Sequence, residues 1–153
     1  NIASVNGTIT INTEAEKYLH IIAEDNVGNI TSDNIFGPYY IDRTAPSINA
    51  NPQNCDWTQE TQVQVNFTDG GAGFKQYRYA ITDSRNSPTT WSDYITKSTD
   101  TIMINTETEK YLHIIAEDNI GNISEDIVNG PYFIDRTNTT IQVLGDLQTI
   151  VID

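Results

Sequence analysis

The chain has 153 residues, enough for one or two small domains, and its 8 basic and 21 acidic residues give a formal net charge of −13. This balance excludes a nucleic-acid partner, which would need a basic surface to displace counterions from phosphates, and it disfavours an anionic membrane surface. The single cysteine, Cys55, rules out an internal disulfide, and no apolar run is long enough for membrane insertion. An acidic surface of this kind suits divalent cations.

The first segment, residues 1–43, contains a stretch that occurs again later in the chain. The sequence EKYLHIIAEDN begins at Glu16 and again at Glu109, and aligning the chain on itself at this offset of 93 residues gives 27 identities over the 36 positions 9–44 and 102–137. A period of this length matches a whole small β-domain rather than a solenoid unit. Residues 1–43 are therefore predicted to be the C-terminal half of one unit, so that the chain begins inside a domain.

The second segment, residues 44–137, is predicted to be one complete unit. Apolar residues alternate with polar ones in short runs bounded by Gly, Pro, Asn and Asp, which is typical of strands and turns. No run has a helical period. The predicted strands are TQVQVNFTD, FKQYRYAITD, TWSDYITK, DTIMIN, EKYLHIIAED and GPYFID. Pro131 in the last run is expected at a sheet edge or at the start of a strand. The pattern predicts an all-β fold, an immunoglobulin-like antiparallel β-sandwich that is repeated along the chain.

The third segment, residues 138–153, does not align with the start of the complete unit. Its sequence, NTTIQVLGDLQTIVID, is predicted to form the opening strands of a different immunoglobulin-like domain. The linker before it reads RTNT where the first linker reads RTAP. This change fits a different neighbour at the second junction.

The repeated half, with AEDN at the end of a strand, an N-x-G-N turn and a last strand that runs into DRTAP, resembles bacterial immunoglobulin-like (fibronectin III-like) repeats. FTDGGAGFKQYRYAITD and TWSDYI are similar to the middle strands of the same family, and the resemblance covers nearly all of residues 1–137. The tail is similar, through I-x-V-L-G-D, to the start of another bacterial domain of this class.

The resemblance implies a tandem array in a large extracellular or cell-surface protein of a bacterium. The predicted function is a non-catalytic spacer or stalk that presents or separates other domains, with the adjacent immunoglobulin-like domains of the same chain as its partners. The alternative is an adhesin, or a carbohydrate-binding accessory module of a large extracellular enzyme, which would bind a host protein or a glycan. Exposed aromatic residues would favour this alternative, and Trp57 is the best candidate for exposure.

Catalytic chemistry finds little support in the sequence. The two histidines, His20 and His113, occupy equivalent positions in the two copies, so they lie a whole domain apart and cannot share a site. Both are predicted on the polar face of a strand. Cys55 is predicted in a polar loop with no basic neighbour that would stabilise a thiolate. The chain is therefore predicted not to be an enzyme, and no cofactor is required.

A metal site is the sharpest functional hypothesis, because hard cations such as Ca²⁺ prefer several carboxylate and carbonyl oxygens. In the predicted topology, Asp69 and Asp118 end two parallel strands at one pole of the unit, and the last strand of the preceding unit brings Asp42 to the same pole. Glu117 lies beside them in sequence. These four residues are the predicted ligands of an inter-domain Ca²⁺. In the competing interpretation, each Asp caps its own turn through local hydrogen bonds.

The half unit at residues 1–43 poses a further problem, since its strands would leave an apolar sheet face uncovered. We expect this face to be completed by other polypeptide. The candidates are residues outside the chain, the tail strand at residues 140–153, or a second copy of the molecule.

Overall fold

The computed structural model describes residues 6–143 and 150–152, and within them the chain is all-β. No helix occurs among these residues, and hence none that is long and apolar enough to cross a membrane. The strands form four sheets: a hairpin near the N-terminus, two sheets in the middle of the chain and a short pair near the end.

The N-terminal hairpin contains the first copy of the repeated sequence. Its strands β1 (Ala15–Ile21) and β2 (Asn34–Ile41) pair antiparallel, with a register shift between Lys17 and Leu19. They form a two-stranded sheet with no further strand on either edge within the described residues. A two-stranded sheet has no second layer of its own, so its side chains stay largely accessible.

The middle of the chain forms two sheets, of three and four strands. The three-stranded sheet has the order β3–β5–β7, and the four-stranded sheet has the order β4–β9–β8–β6. All neighbours pair antiparallel except β4 and β9, which are parallel. The strands are β3 (Ser47–Asn51), β4 (Cys55–Thr58), β5 (Thr61–Thr68), β6 (Phe74–Thr82), β7 (Thr99–Ile104), β8 (Thr108–Asp118) and β9 (Ile127–Ile134).

One hydrophobic core lies between these two sheets. It contains the alternating residues of β5 on one side and those of β8 and β9 on the other, because successive side chains of a strand point to opposite faces. Tyr77 of β6 is buried in it, with Tyr79 and Ile81 packed against it. The arrangement fits a β-sandwich. The fully enclosed members are Val63, Val65, Ile104, Leu112, Ile114, Tyr132 and Ile134.

Most of the predicted strands are present, but the run TWSDYITK is not one. In that run only Ile95 forms an isolated bridge, to Tyr77. Conversely, one segment predicted to be a loop forms a strand. Cys55 lies in strand β4 and packs against the core, so its assignment to a polar loop was wrong. A strand of four residues is too short to show alternation, and its parallel pairing with β9 depends on a segment far away in sequence.

Pro131 was expected at an edge or a strand start, and it is at neither. It lies inside β9, which is flanked by β4 and β8. The ladder tolerates a residue without an N–H because the register shifts here between Lys110 and Leu112, whose partners are Tyr132 and Asn129. Gly130 in the same irregularity has φ +125, and a Cβ there would lie 2.8 Å from the carbonyl oxygen of Lys110.

The end of the chain forms a separate two-stranded sheet. Strands β10 (Ile141–Val143) and β11 (Ile150–Ile152) pair antiparallel with each other and not with the hairpin. Within the described part of the tail, therefore, no strand completes the first half unit. The rest of the I-x-V-L-G-D motif, residues 144–146, lies outside the described residues, as do residues 1–5 of the first predicted segment.

Candidate metal centre

Three aspartates meet where the N-terminal hairpin joins the sandwich. Asp42 directly follows β2, Asp69 directly follows β5, and Asp118 is the last residue of β8. Each offers one carboxylate oxygen, and these oxygens all lie within 4.8 Å of one another. The group thus joins residues that are 27 and 49 positions apart in the chain.

Asp118 is fully buried and holds the turn that follows β8. Its Oδ1 accepts hydrogen bonds from the backbone N–H groups of Ile120, Gly121 and Asn122 at 2.7–2.9 Å, and its Oδ2 accepts one from the Asn122 side-chain amide at 2.7 Å. Burial alone would raise the pKa of Asp118, but these hydrogen bonds outweigh it and hold the pKa below its usual range. Asp118 is therefore a carboxylate at neutral pH.

Asp42 reaches from the hairpin into the loop between β5 and β6. Its Oδ1 accepts a hydrogen bond from the N–H of Thr44 at 3.0 Å, and its Oδ2 accepts one from the N–H of Ala72. The backbone carbonyl of Asp42 also accepts a 3.4 Å hydrogen bond from the side-chain amide of Asn122. A Cβ on Gly71 would overlap the Asp42 carboxylate, so any side chain there would displace that carboxylate from the group.

Asp69 completes the group from the other side of the same loop. Its Oδ2 accepts a hydrogen bond from the N–H of Gly73 at 2.7 Å. Each of the three aspartates thus bonds to nearby backbone, as the turn-capping interpretation expects. The aspartates therefore both accept local hydrogen bonds in their turns and come together from distant parts of the sequence.

Glu117, the fourth predicted ligand, does not belong to the group. Its two carboxylate oxygens accept 2.7 Å hydrogen bonds from the side chains of Lys75 and Gln76. Consecutive residues of a strand face opposite sides of the sheet, so Glu117 points away from the side to which Asp118 points. The hydrogen bond from the Lys75 side chain is the largest of the causes that lower the pKa of Glu117, followed by that from Gln76.

Nothing in the described part of the chain neutralises the three aspartates, since no Lys, Arg or His there forms an ion pair with any of them. Two such charges at this separation repel by about 3 kcal/mol at an effective dielectric constant near 20, and by less where solvent reaches them. The donor set consists only of oxygen atoms, which fits a hard cation such as Ca²⁺ and not a thiophilic metal. A bound cation would relieve the repulsion and tie the hairpin to the sandwich.

His113, which was expected to be exposed on the polar face of its strand, lies on that face but is completely buried there, so the expected exposure was wrong for this copy. Its Nδ1 lies 2.9 Å from an Asp126 carboxylate oxygen, and its Nε2 lies 3.1 Å from the Thr82 hydroxyl and 2.9 Å from the Ser84 carbonyl oxygen. The hydroxyl, carbonyl and carboxylate that cover the ring come from distant segments, so no local pattern reveals them.

A hydroxyl, an imidazole and a carboxylate in this order resemble a nucleophilic triad, but the geometry does not support that chemistry. The Thr82 hydroxyl donates to the Ser84 carbonyl at 2.6 Å, and the imidazole is closed off from solvent. The proton of the hydroxyl is directed away from the ring, so the imidazole is not placed to accept it. The cluster therefore acts as a packed polar network. Its counterpart His20 is 56% exposed, and its Nδ1 lies 2.7 Å from an Asp33 carboxylate oxygen.

Aromatic side chains lie on the outer side of the four-stranded sheet. Trp57, as expected, is 66% exposed, and its ring centroid lies 5.1 Å from that of Phe133. The guanidinium of Arg78, in β6, lies over the rings of both Trp91 and Tyr94, at 5.4 Å and 5.2 Å from the ring centroids. Trp57 is the member of this set that solvent reaches most freely.

No protein-family model matches the chain. No curated protein matches it either.

Proposed function

We propose that this chain is a non-catalytic spacer built from tandem immunoglobulin-like sandwiches, in which Ca²⁺ stiffens the junction between neighbouring units. The observation that carries the proposal is the meeting of Asp42, from the end of the hairpin, with Asp69 and Asp118 of the sandwich. A joint of this kind limits bending between modules, which is what a stalk on a bacterial surface protein requires.

The strand order supports the immunoglobulin-like part of the proposal. In an immunoglobulin-type sandwich the first, second and fifth strands share one sheet, and the third, sixth and seventh share the other. The orders β3–β5–β7 and β4–β9–β8–β6 agree with this scheme if β3 and β4 are two parts of a first strand that changes sheets, and if the segment between β6 and β7, which forms no strand, stands where the fourth strand would be. The 93-residue repeat supports tandem units, with boundaries near residues 44 and 137.

The test compares Asp42→Asn with Asp135→Asn in the full chain. Asp135 occupies the equivalent position in the second copy and accepts the same local hydrogen bond, from Thr137 at 2.9 Å, but it is not a member of the acidic group. In the unaltered chain, Ca²⁺ at about 100 times its dissociation constant should add about 2.7 kcal/mol, or on the order of 10 °C in melting temperature.

Asp42→Asn should remove most of this rise, whereas Asp135→Asn should keep it. The calcium part of the proposal fails if the unaltered chain melts identically in Ca²⁺ and in EDTA. It also fails if the two variants lose the calcium response equally, because a purely local turn effect would not distinguish them.

The second candidate function is a carbohydrate-binding module, and the exposed Trp57 beside Phe133 favours it. An exposed aromatic ring on a sheet face offers a surface on which a sugar ring can stack. A glycan array separates the two functions. Reproducible glycan binding that Trp57→Ala abolishes would favour the carbohydrate-binding function over that of a pure spacer. A pure spacer is expected to bind no glycan on the array.

A further inference from the structure

One face of the hairpin is exposed, whereas the equivalent face in the second copy of the sequence is covered. Tyr39 is 38% exposed where its counterpart Tyr132 is fully buried, and Ile9 is 46% exposed where Ile102 is 3% exposed. Ile21 is half-buried, whereas its counterpart Ile114 is inaccessible. The residues are identical in each pair, so the difference lies only in what covers them.

The second copy also shows what the cover is. Strand β6 pairs antiparallel with β8, with Tyr77 opposite Ala116, Tyr79 opposite Ile114 and Ile81 opposite Leu112. The three-stranded sheet β3–β5–β7 closes the core from the other side. By the repeat offset, Ala23, Ile21 and Leu19 would receive a strand of the β6 type in the same register. The edge of β1 that this strand would join has no partner strand among the described residues.

Charges on the hairpin match the same cover. In the sandwich, Lys110 of β8 pairs with Asp83 just after β6, and Glu117 of β8 pairs with Lys75 of β6 at 2.7 Å. The first copy has the same two charged residues, since Lys17 is the counterpart of Lys110 and Glu24 is the counterpart of Glu117. Neither forms an ion pair within the described residues. A β6-type strand would therefore bring an acidic residue that can pair with Lys17 and a basic residue that can pair with Glu24.

Other occupants fit less well. The tail strands β10 and β11 pair with each other. A folded second copy cannot offer its β6 in this register, because the backbone edge of β6 that would join β1 already pairs with its own β8, and Tyr77 is already buried in its own core. The cover must be a polypeptide that has these strands free.

We propose that the β1–β2 hairpin is a strand-acceptor site for a polypeptide of the same type as residues 44–101, which completes a second sandwich by adding a β6-like strand to the open edge of β1. Backbone hydrogen bonds along that edge supply affinity, and the aromatic and aliphatic side chains of the incoming strand supply the register. The proposal is independent of the calcium site.

The experiment mixes the full chain with a separately produced polypeptide of residues 44–101, and with a synthetic peptide of residues 72–84 as a second probe in case the first is poorly soluble. Amide hydrogen exchange across residues 15–21 should slow at least about tenfold on addition of either probe, since exposed edge amides become hydrogen-bonded. Native mass spectrometry should show a 1:1 complex.

Two adjacent substitutions in the full chain provide the matched control. Ile21→Asp places a charge on the covered face and should weaken binding at least about 100-fold. Ile22→Asp, on the opposite face, should leave binding within a few-fold of the unaltered chain, because its counterpart Ile115 stays partly exposed in the sandwich. The melting temperature of the complete unit should be unchanged by both.

Three results would overturn the proposal. The first is the absence of both protection and a complex with either probe. The second is an equal loss of binding for Ile21→Asp and Ile22→Asp. The third is a dimer of the full chain alone in which residues 15–21 are already protected, since a second copy would then be the occupant.

Discussion

The two copies of the repeated sequence differ in structure although they agree at 27 of 36 positions. The second copy forms β7, β8 and β9 in a closed core, whereas in the first copy residues 6–12 form no strand and the equivalent of β8 ends at Ile21. The strand segments that the first copy lacks are the equivalents of those that pair with β5 and β6 in the sandwich. Strand formation here therefore depends on a partner strand rather than on local propensity.

One element forms equally in both copies. The Asp25 carboxylate accepts hydrogen bonds from the N–H groups of Val27 and Asn29 and from the Asn29 side chain at 2.7–3.0 Å, as Asp118 does in its own turn. The N-x-G-N turn is therefore local, and it needs no core. The comparison separates what the short sequence encodes from what the rest of the domain supplies.

The largest contrast is expected from truncating the equivalent core leucines. Leu112→Ala should lower the free energy of unfolding of the sandwich by about 2–5 kcal/mol, because Leu112 is fully enclosed and the change leaves a cavity. Leu19→Ala should cost less than about 0.5 kcal/mol, since solvent already reaches this side chain. Urea unfolding of the full chain measures both. Equal effects would mean that the hairpin is packed in a core after all.

A smaller contrast is expected at the histidines. His113→Ala should cost about 2–3 kcal/mol, because it leaves the half-buried carboxylate of Asp126 without its ring partner. His20→Ala should cost less than about 0.5 kcal/mol, since its pair with Asp33 is exposed. Urea unfolding at neutral pH is again the measurement. A negligible cost for His113→Ala would contradict the buried network.

The smallest contrast is expected in the pH dependence of stability. The folded state holds the pKa of Asp118 below its usual range, so its contribution is fully present above the unfolded pKa near 4 and is lost as the pH falls through the lower, folded value. Asp118→Asn should therefore flatten the decline of the unfolding free energy on going from about pH 4 to about pH 2.

Asp25→Asn is the control for this measurement. The turn bonds, above all those from Asn29, also lower the pKa of Asp25, but its turn lies outside the sandwich. The pH profile of the sandwich should therefore keep its slope in this variant. If Asp25→Asn flattens the profile as much as Asp118→Asn does, the slope does not report the buried turn.

Alternation predicted the strands that the core requires, because each has an apolar face buried against the opposite sheet. The runs that became β5, β6, β7 and β8 all show it. Alternation could not predict β4, which is short and joins β9 in parallel. Nor could it show that the segment from Thr82 to Ser87 folds over His113, since that contact closes across about 30 residues of chain.

The candidate metal centre was partly predictable for a related reason. Asp42, Asp69 and Asp118 each end a strand, so strand direction alone brought them to one pole. Glu117 was grouped with them by sequence distance, but the side-chain period of a strand sends it to the other face. Whether a cation binds there stays a prediction, as do the domain boundaries.

The parallel pair β4–β9 has a mechanical consequence. The chain enters the sandwich through β3 and β4 and leaves it at the end of β9. Hydrogen bonds join the β4 segment to β9 where Gly130 donates to Gln53, just before β4, and Asp135 donates to Thr58. If the two ends of the unit are pulled apart, these parallel strands must slide along each other. Their bonds then carry the load together instead of opening one at a time, so the unit resists tension at the place where the chain passes through it.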